Sequence, residues 1–362
     1  MKIIHCSDLH LDSKMKSNLD SKKAKERRNE ILITYQNMVK YAAENGVKAI
    51  IIAGDMFDKK NVTIKAKNIV LDSIKANNEI DFIYLKGNHD ESSFIEEIDQ
   101  IPENLKLFNT KKWETYRYGN ITISGIEFGE LNSYEIYSTL MLNKNDINIV
   151  TLHGQESNYD QKDKSEIINL QELKNKNIDY VALGHIHKFK QGKLDTRGIY
   201  CYSGCLEGRG FDECGEKGFV LLNIDEATKM IESQFIPFSK RILHEIHVDI
   251  SDTTTTLEAE SKIDEKLKNI EEQALIKIVL EGKVALDSER DISYLEKKYS
   301  PNYYFVKIYD ETTLKIDYMA YENDVSLKGE FIRLVLSQKL TDEEKRKIIV
   351  TGIKALSGEE VI

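Results

Sequence analysis

Lys2-Ile-Ile-His5-Cys-Ser-Asp8-Leu-His10 opens the chain and sets how the rest is read. The run Lys2-Ile-Ile-His5 is a short apolar stretch of the kind that forms a buried strand, and Asp8-Leu-His10 comes directly after it. The arrangement recurs. Ala49-Ile-Ile-Ile-Ala53 precedes Gly54-Asp55, Asn148-Ile-Val-Thr-Leu152 precedes His153-Gly154, and Tyr180-Val-Ala-Leu183 precedes Gly184-His185-Ile-His187. A fifth motif, Gly87-Asn88-His89-Asp90, lies just past the strand predicted for Asp81-Phe-Ile-Tyr-Leu-Lys86.

Loops leaving the carboxyl ends of neighbouring parallel strands share one crevice, and open α/β sheets bind ligands there. These motifs are therefore expected to collect at one edge of one sheet. Asp8 and His10 are two residues apart, so on an extended strand end they point to one side and can reach one ion; His185 and His187 repeat that spacing and aim the same way. Asp55 follows the most apolar strand, and its two oxygens suit a bridge between two ions. Any one of these residues alone has a plainer explanation, a helix cap for an aspartate or a satisfied core position for a histidine. Five in this order point to a metal site.

The ordered set resembles the calcineurin-like metallophosphoesterase superfamily, and within it the DNA-repair exonuclease branch of SbcD and YhaO type. The motifs span residues 8 to 187. Gly204-Cys-Leu-Glu-Gly-Arg-Gly-Phe-Asp-Glu213, followed by Gly215-Glu-Lys-Gly218, is similar to the YhaO-like subgroup and extends the match to about two thirds of the chain. The resemblance implies that Asp8, His10, Asp55 and His187 hold one divalent ion and that Asp55, Asn88, His153 and His185 hold another. Manganese is the family habit, while mixed imidazole and oxygen ligation also suits iron or zinc. It further implies that His89 acts near the leaving oxygen, with Asp90 orienting it. The implied reaction is phosphodiester hydrolysis, as a 3′ to 5′ DNA exonuclease that also nicks single strands. A small-molecule phosphodiesterase or a phosphoprotein phosphatase would share the same centre. Where archaeal and eukaryotic relatives have a histidine three residues past the bridging aspartate, this chain has Asp58, read as a cap for the next helix or a support for the ligands.

At 362 residues the chain has room for two or three domains, and 41% hydrophobic with 31% charged residues is a folded, soluble composition. A strand starts at Lys2, and no apolar stretch approaches a bilayer span, so the expectation is a cytoplasmic protein without membrane contact. Cys6, Cys201, Cys205 and Cys214 lack disulfide or zinc-knuckle spacing and are read as reduced thiols. A net charge of −10 argues against nucleic acid, but carboxylates that hold metals inflate it. Lys14, Lys16, Lys22, Lys23, Lys25, Arg27 and Arg28 cluster after the first motif, either as a solvated helix start or as a phosphate-contacting surface. Arg209 has two readings as well, a guanidinium on a phosphate or a partner of Asp212 or Glu213.

The first 90 residues read as βαβαβ, with a helix carrying Ile31, Tyr35, Met38, Val39 and Ala42 on one face and ending near Asn45-Gly46. A hairpin over Glu114 to Ser124 follows, and strands near residues 199, 219 and 233 are expected to form a second sheet. The fold class is thus α/β, a two-sheet β-sandwich flanked by helices, over residues 1–240. Residues 241–320 read as a small α/β cap with strands at Leu243 to Ile250, Leu275 to Glu281 and Tyr303 to Tyr309. Residues 321–362 read as two helices, with stripes of Leu327, Phe331, Leu334, Val335 and of Ile348, Ile349, Gly352, Ile353, Leu356. The stripes pack on the cap or dock a partner; the resemblance implies a coiled-coil ATPase of SbcC or YhaN type, with DNA and a second copy of the chain as further partners.

Overall fold

Every residue of Ala49–Ala53 is buried, which requires cover on both faces of that strand. The computed structural model describes residues 1–15, 19–58, 62–88, 90, 93–96, 98, 100–128, 135–156, 167–285, 288–315, 321 and 324–356. The chain divides into two units, Met1–His244 and Glu245–Ile362. In chain order the first holds β1 (Lys2–Cys6), α1 (Ser21–Glu44), β2 (Ala49–Ala53), α2 (Ile64–Ala76), β3 (Asp81–Leu85), α3 (Ser93–Glu96), β4 (Leu105–Leu107), β5 (Glu114–Tyr118), β6 (Ile121–Gly125) and α4 (Glu135–Thr139). It continues with β7 (Ile147–His153), β8 (Gln155–Glu156), β9 (Ile167–Ile168), α5 (Leu170–Leu173), β10 (Tyr180–Gly184), β11 (Lys190–Lys193), β12 (Ile199–Tyr202), β13 (Gly218–Asp225) and β14 (Met230–Pro237).

Two six-stranded sheets result, ordered β14-β13-β1-β2-β3-β4 and β11-β12-β10-β7-β6-β5. Strand alternation divides each central strand between two cores. Ile3, Ile51 and Ile83 of the first sheet meet Ile149, Tyr180 and Ala182 of the second in one apolar layer. Their neighbours Ile4, Ile50, Ile52 and Phe82 face outward onto Ile31, Tyr35, Met38, Val70 and Ile74 of α1 and α2. Val150, Leu152, Val181 and Leu183 turn the other way, toward Ile136 and Leu173. This is the sandwich flanked by helices that the sequence led us to expect.

Two details differ. Of the strands near 199, 219 and 233, only β12 joins the second sheet; β13 runs antiparallel to β1, with Ile3 opposite Leu222, and brings β14 with it. In addition, the metal motifs follow strands of both sheets, β1, β2 and β3 in one and β7 and β10 in the other, so the site lies across the layer and not along one edge. An apolar run buried on two faces carries no mark of which sheet it belongs to, and this is why the sequence misassigned it.

α1 begins where Asp20 accepts the main-chain N–H groups of Lys22 and Lys23, at 2.9 and 2.8 Å, and ends at Gly46 with φ of +66°. Thr63 caps α2 by accepting from Ala66 N, so the capping role considered for Asp58 is not the one it has.

The second unit holds most of β15 (Leu243–Asp249), then α6 (Thr256–Leu267), β16 (Leu275–Glu281), β17 (Lys283–Ala285), α7 (Ile292–Tyr299), β18 (Phe305–Asp310), β19 (Thr313–Lys315), α8 (Leu327–Leu336) and α9 (Asp342–Leu356). Its main sheet, β15-β16-β18, packs Val248, Ile276, Ile278 and Ile308 against Ile263 and Leu295. Thr255 and Glu258 form a reciprocal capping box at the start of α6. α8 and α9 pack on each other through Ile332, Val335, Ile349 and Ile353. The stripe read for α8 is rotated: Leu327 and Leu334 are 68% and 61% exposed, while Ile332, absent from that stripe, is fully buried. A β-carbon on Gly352 would lie 2.1 Å from the Phe331 ring, so this glycine sets how closely the two helices approach.

Candidate metal centre

β1 stops at Cys6, and the loop beyond it is held to the loop beyond β2 by main-chain bonds from Asp8 N to Gly54 O, His10 N to Asp55 O and Leu11 N to Met56 O, at 3.0, 3.0 and 2.9 Å. On the facing sheet Gly154 N donates to Gly184 O at 3.2 Å. Asp8, His10, Asp55 and His185 all have positive φ, at +51°, +42°, +53° and +99°. The two-residue spacing of Asp8 and His10 therefore does not act through strand alternation, as first read. A left-handed loop turns both inward, at a backbone cost usually met only where function needs it.

Glycines make the approach possible. A β-carbon at Gly54 would sit 2.0 Å from the His153 ring, one at Gly87 would sit 2.2 Å from the Asp55 carboxylate, and one at Gly184 would sit 1.8 Å from Ala53 O. Each is a place where loops from different strands touch with no room for a side chain.

The polar atoms that meet here suit metal ions. Asp8, His10 and His187 form one group, and Asp8, Asp55 and His153 another, each offering ligand atoms within 4.8 Å of one another. The two Nε2 atoms of His10 and His187 are 3.2 Å apart. Asp8 is common to the two groups, and Asp55 Oδ2, 3.7 Å from His10 Nε2 and 3.5 Å from His153 Nε2, reaches a histidine of each. Asn88 Oδ1 is 3.1 Å from His153 Nε2. Nitrogen and oxygen ligands bound about 2.0 to 2.2 Å from one ion lie about 3 to 3.6 Å from each other, and the separations here run from 3.1 to 3.7 Å. Asp8 and Asp55 are 1% exposed and His10 is fully buried. Bare carboxylates at that depth are costly without a cation.

The ligands are themselves oriented. His153 Nδ1 donates to Ala53 O at 2.9 Å, leaving the Nε2 lone pair for the site. The Asp8 carboxylate accepts from His185 N at 2.9 and 3.1 Å and from Ser7 Oγ at 2.5 Å, and Ser7 in turn meets Ser203 Oγ at 2.8 Å. His185 stands edge-on to His153, ring centroids 5.4 Å apart. Ser7 and Ser203 were missed by sequence reading; adjacency to Asp8 and to Gly204 was the only signal they carried.

Other expected site residues fare differently. Asp90 accepts from the main-chain N–H groups of Met56, Phe57 and Gly87 at 3.1, 2.9 and 3.0 Å, so its carboxylate braces the loops after β2 and β3; burial pushes its pKa up despite those bonds. His89 and Lys16 lie outside the described residues. Lys14 and Lys22 are exposed, and Lys23 is half-buried. Arg27, counted in the basic run, is buried, and its guanidinium pairs with Glu30 at 2.7 Å and Glu207 at 3.0 Å, so it is no part of a basic surface. Arg209 is engaged by Glu213 at 2.7 Å, which realises the pairing alternative. Asp58 accepts from Ser13 Oγ at 2.8 Å beside the first loop.

Residues 1–189 match the calcineurin-like phosphoesterase family. The chain is 26% identical over 245 residues, 65% of its length, to the uncharacterized metallophosphoesterase YhaO of Bacillus subtilis, of whose length it spans 60%. It is 24% identical to the DNA double-strand break repair protein Mre11 of Sulfolobus acidocaldarius, covering 99% of this chain and 100% of that one. The protein of the same name from Sulfurisphaera tokodaii is 28% identical, over 78% of this chain and 74% of its own. With more than half its length inside the family match, this chain belongs to the calcineurin-like phosphoesterases.

Proposed function

We propose that the protein is a two-metal DNA exonuclease, degrading strands from the 3′ end and nicking single strands. The observation that carries the reading is the pair of overlapping ligand groups, with the Asp55 carboxylate between His10 and His153. Relatives named for DNA double-strand break repair, one of them alignable over almost the whole chain, favour DNA over other phosphodiesters.

In this reading Asp8, His10, Asp55 and His187 hold one ion, and Asp55, Asn88, His153 and His185 the other, with manganese expected and iron or zinc compatible. When bound, such ions would supply a water of lowered pKa and would offset charge on the phosphate oxygens. The chain's own part is to hold Asp55 rigidly between the two groups, to exclude solvent from Asp8 and His10, and to present His89 to the leaving oxygen as proton donor. Lys14, Lys16, Lys22 and Lys23 are proposed to meet the DNA backbone. Arg209 is withdrawn from that set because Glu213 neutralises it.

The second unit is proposed as a cap over residues 241–320 and a docking segment over 321–362 for a coiled-coil ATPase of SbcC or YhaN type, in a cytoplasmic, dimeric assembly. The exposure of Leu327 and Leu334 on α8, and of Ile348 and Leu356 on α9, supports the docking role.

Manganese-loaded protein assayed side by side on DNA, cyclic nucleotides and phosphopeptides tests the substrate class. Release of nucleotides from DNA, lost in Asp55→Ala, is the expected result. Turnover of either other substrate with DNA left intact would replace the nuclease reading by a phosphodiesterase or a phosphatase on the same centre.

A further inference from the structure

The Gly204 to Gly218 segment gathers around one proposed ligand, His187. Glu213 Oε1 lies 2.7 Å from His187 Nδ1, Lys217 Nζ donates to His187 O at 2.9 Å, and Cys205 N donates to the same carbonyl at 3.4 Å. Gly204 has φ of +75°, and a β-carbon there would lie 2.8 Å from Phe189 N, so the segment closes directly on the chain that follows His187. Three residues on, it is fixed to α1 through Glu207, which accepts from Arg27 at 3.0 Å and from Thr34 Oγ1 at 2.7 Å.

Glu213 is 4% exposed, a position a carboxylate holds only with partners. Arg209 provides them: its NH2 lies 2.7 Å from Oε1, its Nε 3.1 Å from the same oxygen, and its main-chain N donates to Oε2 at 2.8 Å. Arg209 NH2 also comes within 3.2 Å of His187 Nδ1. A guanidinium has only donors, so a bond there would require Nδ1 to be a bare acceptor and would turn the proton to Nε2, facing His10. The shorter contact to a charged carboxylate decides the matter. Nδ1 carries the hydrogen and gives it to Glu213, while Nε2, 3.8 Å from Asp8 Oδ1, is left with its lone pair toward the ligand cluster.

We propose that Glu213, held in place by Arg209, is a positioning residue that fixes the tautomer and ring orientation of His187 and thereby sets the affinity of one of the two metal positions. The sequence left Arg209 divided between a phosphate contact and an acidic partner. Here it serves the metal centre from behind, as the anchor of Glu213. The proposal rests on the two-metal reading given above, and its test separates the two.

Full-length protein stripped with a chelator would be titrated with Mn²⁺, free ion being followed by its paramagnetic resonance signal. Wild type binding two ions is the premise, and if it binds none the two-metal reading itself fails. Glu213→Ala is expected to weaken one position about 10- to 100-fold and leave the other unchanged. Glu213→Gln, which keeps an acceptor for Nδ1–H, is expected to recover most of that loss. In the metal-free state, ¹⁵N resonances of His187 should report the Nδ1–H tautomer in wild type and Glu213→Gln and a mixture in Glu213→Ala. Asp212→Asn, one residue away and exposed, serves as control and should match wild type in both measurements. Two ions bound with wild-type affinity by a folded Glu213→Ala, an unchanged His187 tautomer in that variant, or an equal loss in Asp212→Asn would overturn the proposal.

Discussion

Gly54 shows how narrowly single residues constrain this centre. Its φ is +92°, and the space where a β-carbon would go is taken by the His153 ring. Gly54→Ala combines a strained backbone with a collision and is expected to cost about 2 to 4 kcal/mol in urea unfolding. It should also lower metal content, because His153 must move; a variant as stable and as metal-rich as wild type would show that the loop has slack. His89 invites a different experiment. If it donates the proton, His89→Ala keeps both metals by elemental analysis yet slows DNA hydrolysis by about 10²- to 10⁴-fold. Full turnover in that variant would leave the protonation of the leaving group to solvent.

At the scale of elements, the device that ties α1 to the rest of its unit is ionic. Arg27 bridges Glu30 and Glu207, and Glu30 also accepts from Arg241 at 2.8 to 3.1 Å and from Lys240 at 2.8 Å. Burial alone would raise the pKa of Glu30, yet hydrogen bonds from Arg241, Lys240 and Arg27 hold it at about 2. Arg27→Ala leaves the buried Glu207 without its guanidinium, while Glu30 keeps Arg241 and Lys240, and is expected to cost about 3 to 5 kcal/mol by chemical denaturation. Replacing Arg27 together with Glu207 by apolar residues of similar size, with Glu30 left to Arg241 and Lys240, should recover much of that. A single variant costing under about 1 kcal/mol would mean that water reaches the cluster. None of this was visible in the sequence, where Arg27 looks like one more charge in a basic run. The apolar face of α1, by contrast, was readable from spacing alone, because a helix repeats its buried side every three or four residues.

At the scale of the whole molecule, acid should unfold the protein through His5 as well as through its carboxylates. His5 is fully buried between the sheets, with Nδ1 2.9 Å from Tyr180 OH, and burial lowers its pKa from 6.5 to about 3. The unfolded chain takes up a proton near pH 6.5 that the folded one refuses until about pH 3, so this contribution to stability is complete above 6.5 and shrinks across that window as pH falls. Between pH 7 and pH 5 the loss is about 2 kcal/mol. His5→Phe should flatten the slope between those values in urea titrations, and an unchanged slope would assign it to other groups. Ligand linkage acts in the other direction: each divalent ion at about a hundred times its dissociation constant adds about 2.7 kcal/mol, so chelation should lower the melting temperature.

The sequence by itself determined the elements and most of the chemistry. Apolar runs fixed β1, β2, β3, β7 and β10, and the residues just after them supplied the carboxylate and imidazole groups, because strand burial and ligand type are local properties of side chains. Tertiary structure alone decided that these strands belong to two facing sheets, that β13 and β14 extend the first of them, and that Asp8 and His10 are turned inward by left-handed backbone. It also decided that Arg27 turns to Glu207, 180 positions on, and that Ile332 and not Leu334 is the buried face of α8. The reason is physical. Strands covered on both faces look alike wherever they pair, and the direction of a loop or the partner of a charge depends on residues tens or hundreds of positions away that only the folded chain brings near.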